Sequence, residues 1–497
     1  MANLADFLAR AAADRPESAA LRLGPATFTY ADLDRLSAQA AALLRTEGLR
    51  AGDRVALMLP NTPEFVVLYY GILRAGGIVV PMNPLLKERE TEYHLRDSGA
   101  VLLFEWHQAP GGGAQGATAA GVRHIPVEPA AFAAELARLE PYREIAPVAH
   151  DDVAVLLYTS GTTGHPKGAA LTHAGLRHNT EVTAHHVLRM TSEDVIVGCL
   201  PLFHIFGQTC TMNAAVRGGA TLVLVPRFDP RTVLDAIARE RATIFEGVPT
   251  MYAALLQHPG AEDADVSTLR MCASGGASLP VEVLHGFESR FGCMVLEGFG
   301  MSETSPVVSF NHPDRPRKAG SIGTPIRDVE VRLLDDDGKD VAEGEVGELA
   351  VRGPNVMKGY WNRPEETAAA IPDGWLRSGD LARRDEDGYL YIVDRKKDLV
   401  IRGGYNVYPR EIEEVLHEHP AVALAAVLGI PDERLGEEVA AAVVLRPGAE
   451  VSAGELQEYV RERVAAYKYP RHVWLMDALP LGPSGKILKR EISAPVH

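Results

Sequence analysis

Short apolar runs alternate with amphipathic stretches through the first third of the chain. Residues 53–60 (DRVALMLP) predict a buried strand, 64–75 repeat apolar residues at helical spacing, and 78–82 predict the next strand. Strand, helix and strand in that order are βαβ grammar and imply a parallel sheet covered by helices. Ahead of them, Thr29 and Asp32 are spaced as a capping box for a helix carrying Leu33, Leu36, Leu43 and Leu44, with Gly48 placed to stop it. The Gly- and Ala-rich stretch 110–121 predicts a surface loop. Residues 222–225, 243–246 and 269–273 read as further buried strands, with a helix over 231–240. After about residue 320 the pattern turns to strands at 330–334, 347–351 and 389–393 punctuated by Asp and Gly, a β-rich unit. From residue 395 a smaller α+β unit follows: helix 409–418, strands 422–428 and 439–445, helix 453–467 and strand 472–476. The fold expected is α/β, with a large N-terminal body of several subdomains (1–394), one of them β-rich, and a small α+β C-terminal domain (395–497).

Charge and cysteines act by exclusion. Fifty Lys and Arg against 66 Asp and Glu give a net charge of -16, which repels a phosphate backbone, and the basic runs 395–397 and 486–490 are too short to make a patch. Nucleic acid is therefore not an expected partner. Cys199, Cys210, Cys272 and Cys293 lie far apart in sequence with no Cys-x-x-Cys, so neither a zinc site nor a disulfide framework is indicated. Asp6, Arg10 and Asp14 interrupt what a signal peptide would need as an apolar core, and no run approaches the ~20 apolar residues of a membrane span. The expected compartment is the cytoplasm, which leaves room for a peripheral membrane contact and for a homodimer.

The segment 158–173, YTSGTTGHPKGAALTH, carries the densest chemistry. It follows the apolar strand 153–157 and precedes a helix. Gly161, Gly164 and Gly168 let a backbone approach a polyanion, Thr159, Ser160, Thr162 and Thr163 add hydroxyls, and Lys167 adds a cation. These are the parts of a triphosphate cradle. It is not the common P-loop, because Pro166 precedes the lysine and Gly168 follows it.

This segment resembles the signature loop of the adenylate-forming superfamily: acyl-CoA synthetases, firefly-type luciferases and nonribosomal-peptide adenylation domains. Similar motifs recur in the family's order from about residue 20 to 490. The resemblance implies a small mobile C-terminal domain and the cosubstrates ATP and coenzyme A, with Mg2+. In EGFGMSET (297–304) it implies that Phe299, between Gly298 and Gly300, stacks on adenine, that Ser302 contacts the α-phosphate, and that Glu303, with Thr159, ligates the metal. Phe stands at 299 and Ser at 302 where the family usually has Tyr and Thr. The segment 275–279 (GGASL) resembles the stretch lining the adenine and acyl pockets, with Gly275, Gly276 and Ala277. Asp380 and Arg395 resemble ribose-binding residues, Lys397 the interdomain hinge, and Gly403 and Gly404 the surface that meets the pantetheine arm of coenzyme A. LPLGPSGKILKR (479–490) resembles the family's C-terminal P-x-[ST]-G-K signature, which implies that Lys486 is the catalytic lysine of adenylation, acting with Glu303 and Lys167. PLFHIFG (201–207) resembles the family's acyl-site segment, implying a pocket with His204, Phe206, Gly207 and Val248. Segments 208–216 and 247–252 read as largely apolar or small, without Arg or Lys for a second carboxylate.

The function implied is an AMP-forming acyl-CoA synthetase, an acid-thiol ligase, acting on a medium- or long-chain fatty acid. An aryl or arylpropenoic acid comes second, and a freestanding adenylation enzyme loading a carrier protein third. A carrier-linked enzyme would carry a further domain after its last motif, and eleven residues follow Lys486.

Overall fold

The computed structural model describes residues 2–159 and 165–494. The expected βαβ unit forms: strands Arg54–Met58 and Ile78–Pro81 flank helix Pro63–Arg74 and pair in parallel. Val55 to Met58 are buried, as in a strand covered on both faces. The helix Tyr30–Thr46 opens on the anticipated capping box, in which Thr29 Oγ1 accepts from the Asp32 amide at 3.1 Å and Asp32 accepts from the Thr29 amide at 3.2 Å. The chain leaves it through Gly48 at φ +86°.

The stretch expected to be a loop is instead the helix Gly113–Ala120. Alanine favours a helix, and the two glycines sit where no side chain fits. A Cβ on Gly113 would lie 2.1 Å from the Glu105 carboxylate and one on Gly116 2.6 Å from Thr91. The last helix is shorter than expected, ending at Arg461, because Tyr467 turns back to stack on Tyr405 with ring centroids 4.8 Å apart.

Two sheets form the α/β body. In the nine-stranded sheet, Met294–Gly300, Met271–Ser274, Ile244–Gly247, Val195–Gly198, Thr221–Leu224 and Ala19–Leu23 are adjacent and parallel, with antiparallel strands at both edges. In the seven-stranded sheet, the parallel part ends at Val153–Thr159, where the antiparallel Lys167–Thr172 and Gly359–Tyr360 complete the edge. Tyr158 and Thr159 pair antiparallel with Gly168 and Lys167, so the segment leads from one strand into the next rather than directly from strand to helix. Ala169, Ala170 and Leu171 are buried against the preceding strand, and the helix His173–Val182 begins only after Thr172 has capped it.

The β-rich unit is a four-stranded antiparallel sheet of Glu330–Leu334, Gly347–Arg352, Leu376–Arg384 and Leu390–Arg395. One apolar core runs from Leu4 to Leu390 through the body. The small C-terminal domain has its own core, with Val400, Ile412, Leu416, Val427, Val443 and Leu456 packed between a five-stranded sheet and its helices. Its hairpin strands, Val422–Asp432 and Gly436–Leu445, are longer than the apolar runs that announced them.

Candidate active site

Four of the singled-out segments lie beyond the carboxyl ends of neighbouring parallel strands in the nine-stranded sheet, where open α/β sheets bind ligands. His204 follows Val195–Gly198, Val248 follows Ile244–Gly247, Gly275 to Ala277 follow Met271–Ser274, and Gly298 to Ser302 lie at the end of Met294–Gly300. Gly298 is required by packing, since a Cβ there would lie 2.1 Å from the Phe310 ring. Phe299 is half-buried, Ala277 is exposed, and Ser302 opens the turn Ser302–Thr304 that carries Glu303.

The C-terminal domain lays its last loop across this edge. Thr250 Oγ1 donates to the Gly485 carbonyl at 2.7 Å. Gly276, at φ +84°, leaves the space that Lys486 fills: a Cβ there would lie 2.9 Å from Lys486 Cε and 3.5 Å from its Nζ. Burial and the nearby Arg395 push the Lys486 ammonium down to about 8, while Asp380 and Glu303 pull the other way. Asp380 and Arg395 face each other across antiparallel strands, with Nε 3.2 Å from Oδ1. Burial raises the Asp380 carboxyl, against the pull of Arg395 and Lys486. Lys486, Glu303, Asp380 and Arg395 are thus brought to one place from three parts of the fold.

Glu303 is buried, and its Oε1 accepts from the Tyr360 hydroxyl at 2.9 Å. Lys167 Nζ stands 5.2 Å from the centre of the same Tyr360 ring, and Thr159 faces Lys167 across the hairpin. Tyr360 therefore ties the signature hairpin to the acidic residue. Sequence reasoning missed it, and its one signal was a Tyr-Trp pair in a polar stretch. A second buttress was also missed: Tyr158 donates to Asp97 at 2.8 Å, Arg363 reaches the same carboxylate at 2.6 Å, and Tyr93 donates to the Pro166 carbonyl at 2.7 Å. Ser160, Gly161, Thr162, Thr163 and Gly164 lie outside the described residues.

On the acyl side, Phe206 packs against Gly275, where a Cβ would lie 3.2 Å from its ring. A Cβ on Gly207 would lie 2.5 Å from the Pro201 carbonyl. Burial and the charge of Lys486 lower the His204 imidazole to about 3, so it is neutral across the physiological range. Beyond it the chain forms a widened turn, Gly207–Asn213, with hydrogen bonds spaced one residue further than in an α-helix, a feature frequent at functional sites. Within this segment, expected to be largely apolar or small, Gln208, Thr209, Thr211 and Asn213 are polar and wholly buried.

Gly403 and Gly404 are exposed in the turn between Val400–Arg402 and Tyr405–Val407. Lys397 is exposed in the turn between Leu390–Arg395 and Val400–Arg402. Among the described residues, no helix is long and apolar enough to cross a membrane.

Comparison with known proteins gives this geometry a family. The chain is 40% identical to a long-chain-fatty-acid--CoA ligase of Bacillus subtilis, over 99% of this chain and 94% of that protein. It is 41% identical to a feruloyl-CoA synthase of Amycolatopsis, over 99% and 98%. Among solved structures, a benzoate CoA ligase from Burkholderia xenovorans superposes with a TM-score of 0.91 at 32% identity, covering 98% of this chain and 99% of that one. ATP-bound MatB from Rhodopseudomonas palustris, at 34% identity and 98% coverage of both chains, gives 0.91, and its apo form 0.82. The model of the AMP-binding enzyme matches residues 8–361, and that of the AMP-binding enzyme C-terminal domain matches residues 411–486. The chain belongs to the family of AMP-binding enzymes.

Proposed function

We propose that the chain is an AMP-forming acyl-CoA synthetase, joining a carboxylic acid to coenzyme A through an acyl-adenylate. The observation that carries this reading is the seating of Lys486 over Gly276 beside Asp380, Arg395 and Glu303. In the first half-reaction a carboxylate oxygen attacks the α-phosphorus of ATP, the bond to the bridging oxygen breaks, and diphosphate leaves. Two anions must approach each other, and an ammonium set between them lowers the barrier. Lys167, Thr159 and the glycine-rich turn between them hold the departing phosphates. Asp380 accepts from the ribose hydroxyls and Arg395 donates there. Phe299 offers a face to the adenine, and Ser302 donates to the α-phosphate.

Glu303, with Thr159, fits Mg2+: one carboxylate beside substrate phosphates is the usual donor set for that ion, which neutralises phosphate charge when bound. Tyr360 holds the Glu303 carboxylate in place for this duty. In the second half-reaction the thiol sulfur of coenzyme A attacks the acyl carbon and AMP leaves. A thiol of pKa ~8.5 supplies thiolate near neutrality without a dedicated base. In this step the C-terminal domain, from about residue 395, rotates about Lys397 and brings the exposed Gly403–Gly404 turn to the adenylate.

The relatives act on two acid classes, long-chain fatty acids and ferulate, at nearly equal identity. The fatty acid is the first reading, and the buried polar residues after His204 favour the arylpropenoate. The test is Lys486→Ala. It should lose ~100- to 1,000-fold in acid-dependent pyrophosphate release, the usual effect of deleting one preorganised donor. Thioester formation from preformed acyl-adenylate should change little, and equal losses in both would refute the assignment. Pyrophosphate release without any thioester product when coenzyme A is added would point to a carrier protein as acceptor.

A further inference from the structure

Two lines of side chains lead inward from Lys486 and meet. The first lies on the helix after His204. Gln208 follows His204 by one turn, with the Gln208 backbone N–H donating to the His204 carbonyl at 3.0 Å, and Thr211 lies further along the same widened turn. The second lies on the strand Ile244–Gly247 and its extension. Val248 borders the lysine, its Cγ1 3.4 Å from a Cβ placed on Gly276, and Glu246, two residues earlier, points to the same side. The lines close on each other where Thr211 Oγ1 hydrogen-bonds Glu246 Oε2.

This meeting point is polar and buried. Gln208 and Thr211 are 0% exposed and Glu246 1%. Both the side-chain amide nitrogen and the side-chain amide oxygen of Gln208 lack a hydrogen-bond partner among the described residues. An unpaired amide in the interior is costly, and native proteins rarely keep one that nothing fills. A hydroxyl group both donates and accepts, which is what that amide needs. A hydrocarbon tail satisfies neither atom. Glu246 is pushed up to about 8 by burial, with the Thr211 hydrogen bond opposing, so at neutral pH the far wall carries an uncharged carboxyl group. A substrate with a second carboxylate finds no cation there.

On the reading given under Proposed function, we propose that Gln208, Thr211 and Glu246 form the far wall of the acyl site. The acid it selects carries a hydroxyl group at the end remote from its carboxylate. A para-hydroxylated arylpropenoic acid has that form.

The experiment compares acid-dependent pyrophosphate release by the full chain with 4-hydroxycinnamate, cinnamate, 4-methylcinnamate and decanoate. The expected result is a kcat/KM at least tenfold higher for 4-hydroxycinnamate than for the other three. In Gln208→Leu that preference should fall at least tenfold, with cinnamate gaining. A wild type that uses cinnamate or decanoate as well as 4-hydroxycinnamate overturns the proposal and leaves the synthetase reading standing. A Gln208→Leu protein that melts like wild type and keeps the full preference overturns it too. Pyrophosphate release with none of the acids would instead overturn the synthetase reading, and this inference with it.

Discussion

The alkaline limb of adenylation should belong to Lys486. In the docked arrangement its ammonium titrates at about 8 instead of the ordinary 10.5, because it sits in the body's interior beside Arg395. The free enzyme's kcat/KM for acid-dependent pyrophosphate release should therefore fall above pH 8, since only the protonated lysine draws two anions together. One unit above the midpoint about a tenth of the lysine is charged, and two units above about a hundredth, so the limb drops ~10-fold per pH unit. The limb in kcat should lie at higher pH, because ATP and the carboxylate hold the proton on the lysine once bound. Omitting coenzyme A keeps thiol ionisation out of the profile. Lys486→Arg, whose guanidinium stays charged above pH 12, should be slower but flat from pH 7 to 10. Two buried carboxyls titrate in the same region: burial raises Glu246 to about 8 and Glu297 to about 7. Their Gln variants should keep the limb at its wild-type position. A limb near pH 8 that survives in Lys486→Arg, or a wild type flat to pH 10, would show that this lysine does not titrate in the site as argued.

The rest of the site gives three further expectations. Gly276→Ala puts a Cβ 2.9 Å from Lys486 Cε and forces a left-handed residue, so adenylation should drop at least 10-fold and melting should report ~1 kcal/mol of lost stability. Tyr360→Phe removes the donor to Glu303, and the Mg2+ concentration for half-maximal pyrophosphate release should rise about 10-fold with the fold intact by circular dichroism. Arg410→Ala frees the helix Pro409–His417 from the Gly320 and Ile392 carbonyls of the body. It should slow adenylation about 10-fold while sparing thioester formation from preformed adenylate, as separate assays of the two half-reactions would show.

The sequence made most of the elements visible because their signals are local. Apolar runs marked the parallel strands, and Thr29 with Asp32 marked a helix start to the residue. Where the structure departed, a distant partner decided. Glycines at 113 and 116 read as a loop, yet they are the close-approach points of a helix against Glu105 and Thr91. The signature segment read as a passage from strand to helix, whereas antiparallel pairing leads it from one strand into the next. Of the proposed site residues, Lys486, Glu303, Asp380 and Arg395 were found from their motifs, and the structure brings them together. Tyr360, Asp97 and Gln208 carry no motif. Each matters through a residue far away in the chain, and no spacing rule exposes that.

The electrostatics of Lys486 also argue for why the docked arrangement tightens when substrate binds. A lysine whose folded pKa is depressed opposes the docked arrangement wherever its free form is charged. That opposition is complete below about pH 8 and disappears as the pH rises from there to 10.5. At neutral pH with no anion bound, docking the C-terminal loop therefore pushes a charge into a place that disfavours it. Asp380 is already paired with Arg395, and Glu303 with Tyr360, so neither is free to compensate fully. A triphosphate and a carboxylate reverse the sign, since each adds negative charge where the ammonium arrives. Once diphosphate has left and the carboxylate has become the acyl half of a mixed anhydride whose phosphate keeps a single negative charge, most of that charge is gone and the seat is less favourable again. On the mechanism proposed, the chemistry of the first half-reaction would thereby loosen the lysine that carried it out and release the C-terminal domain to turn its glycine loop toward the adenylate.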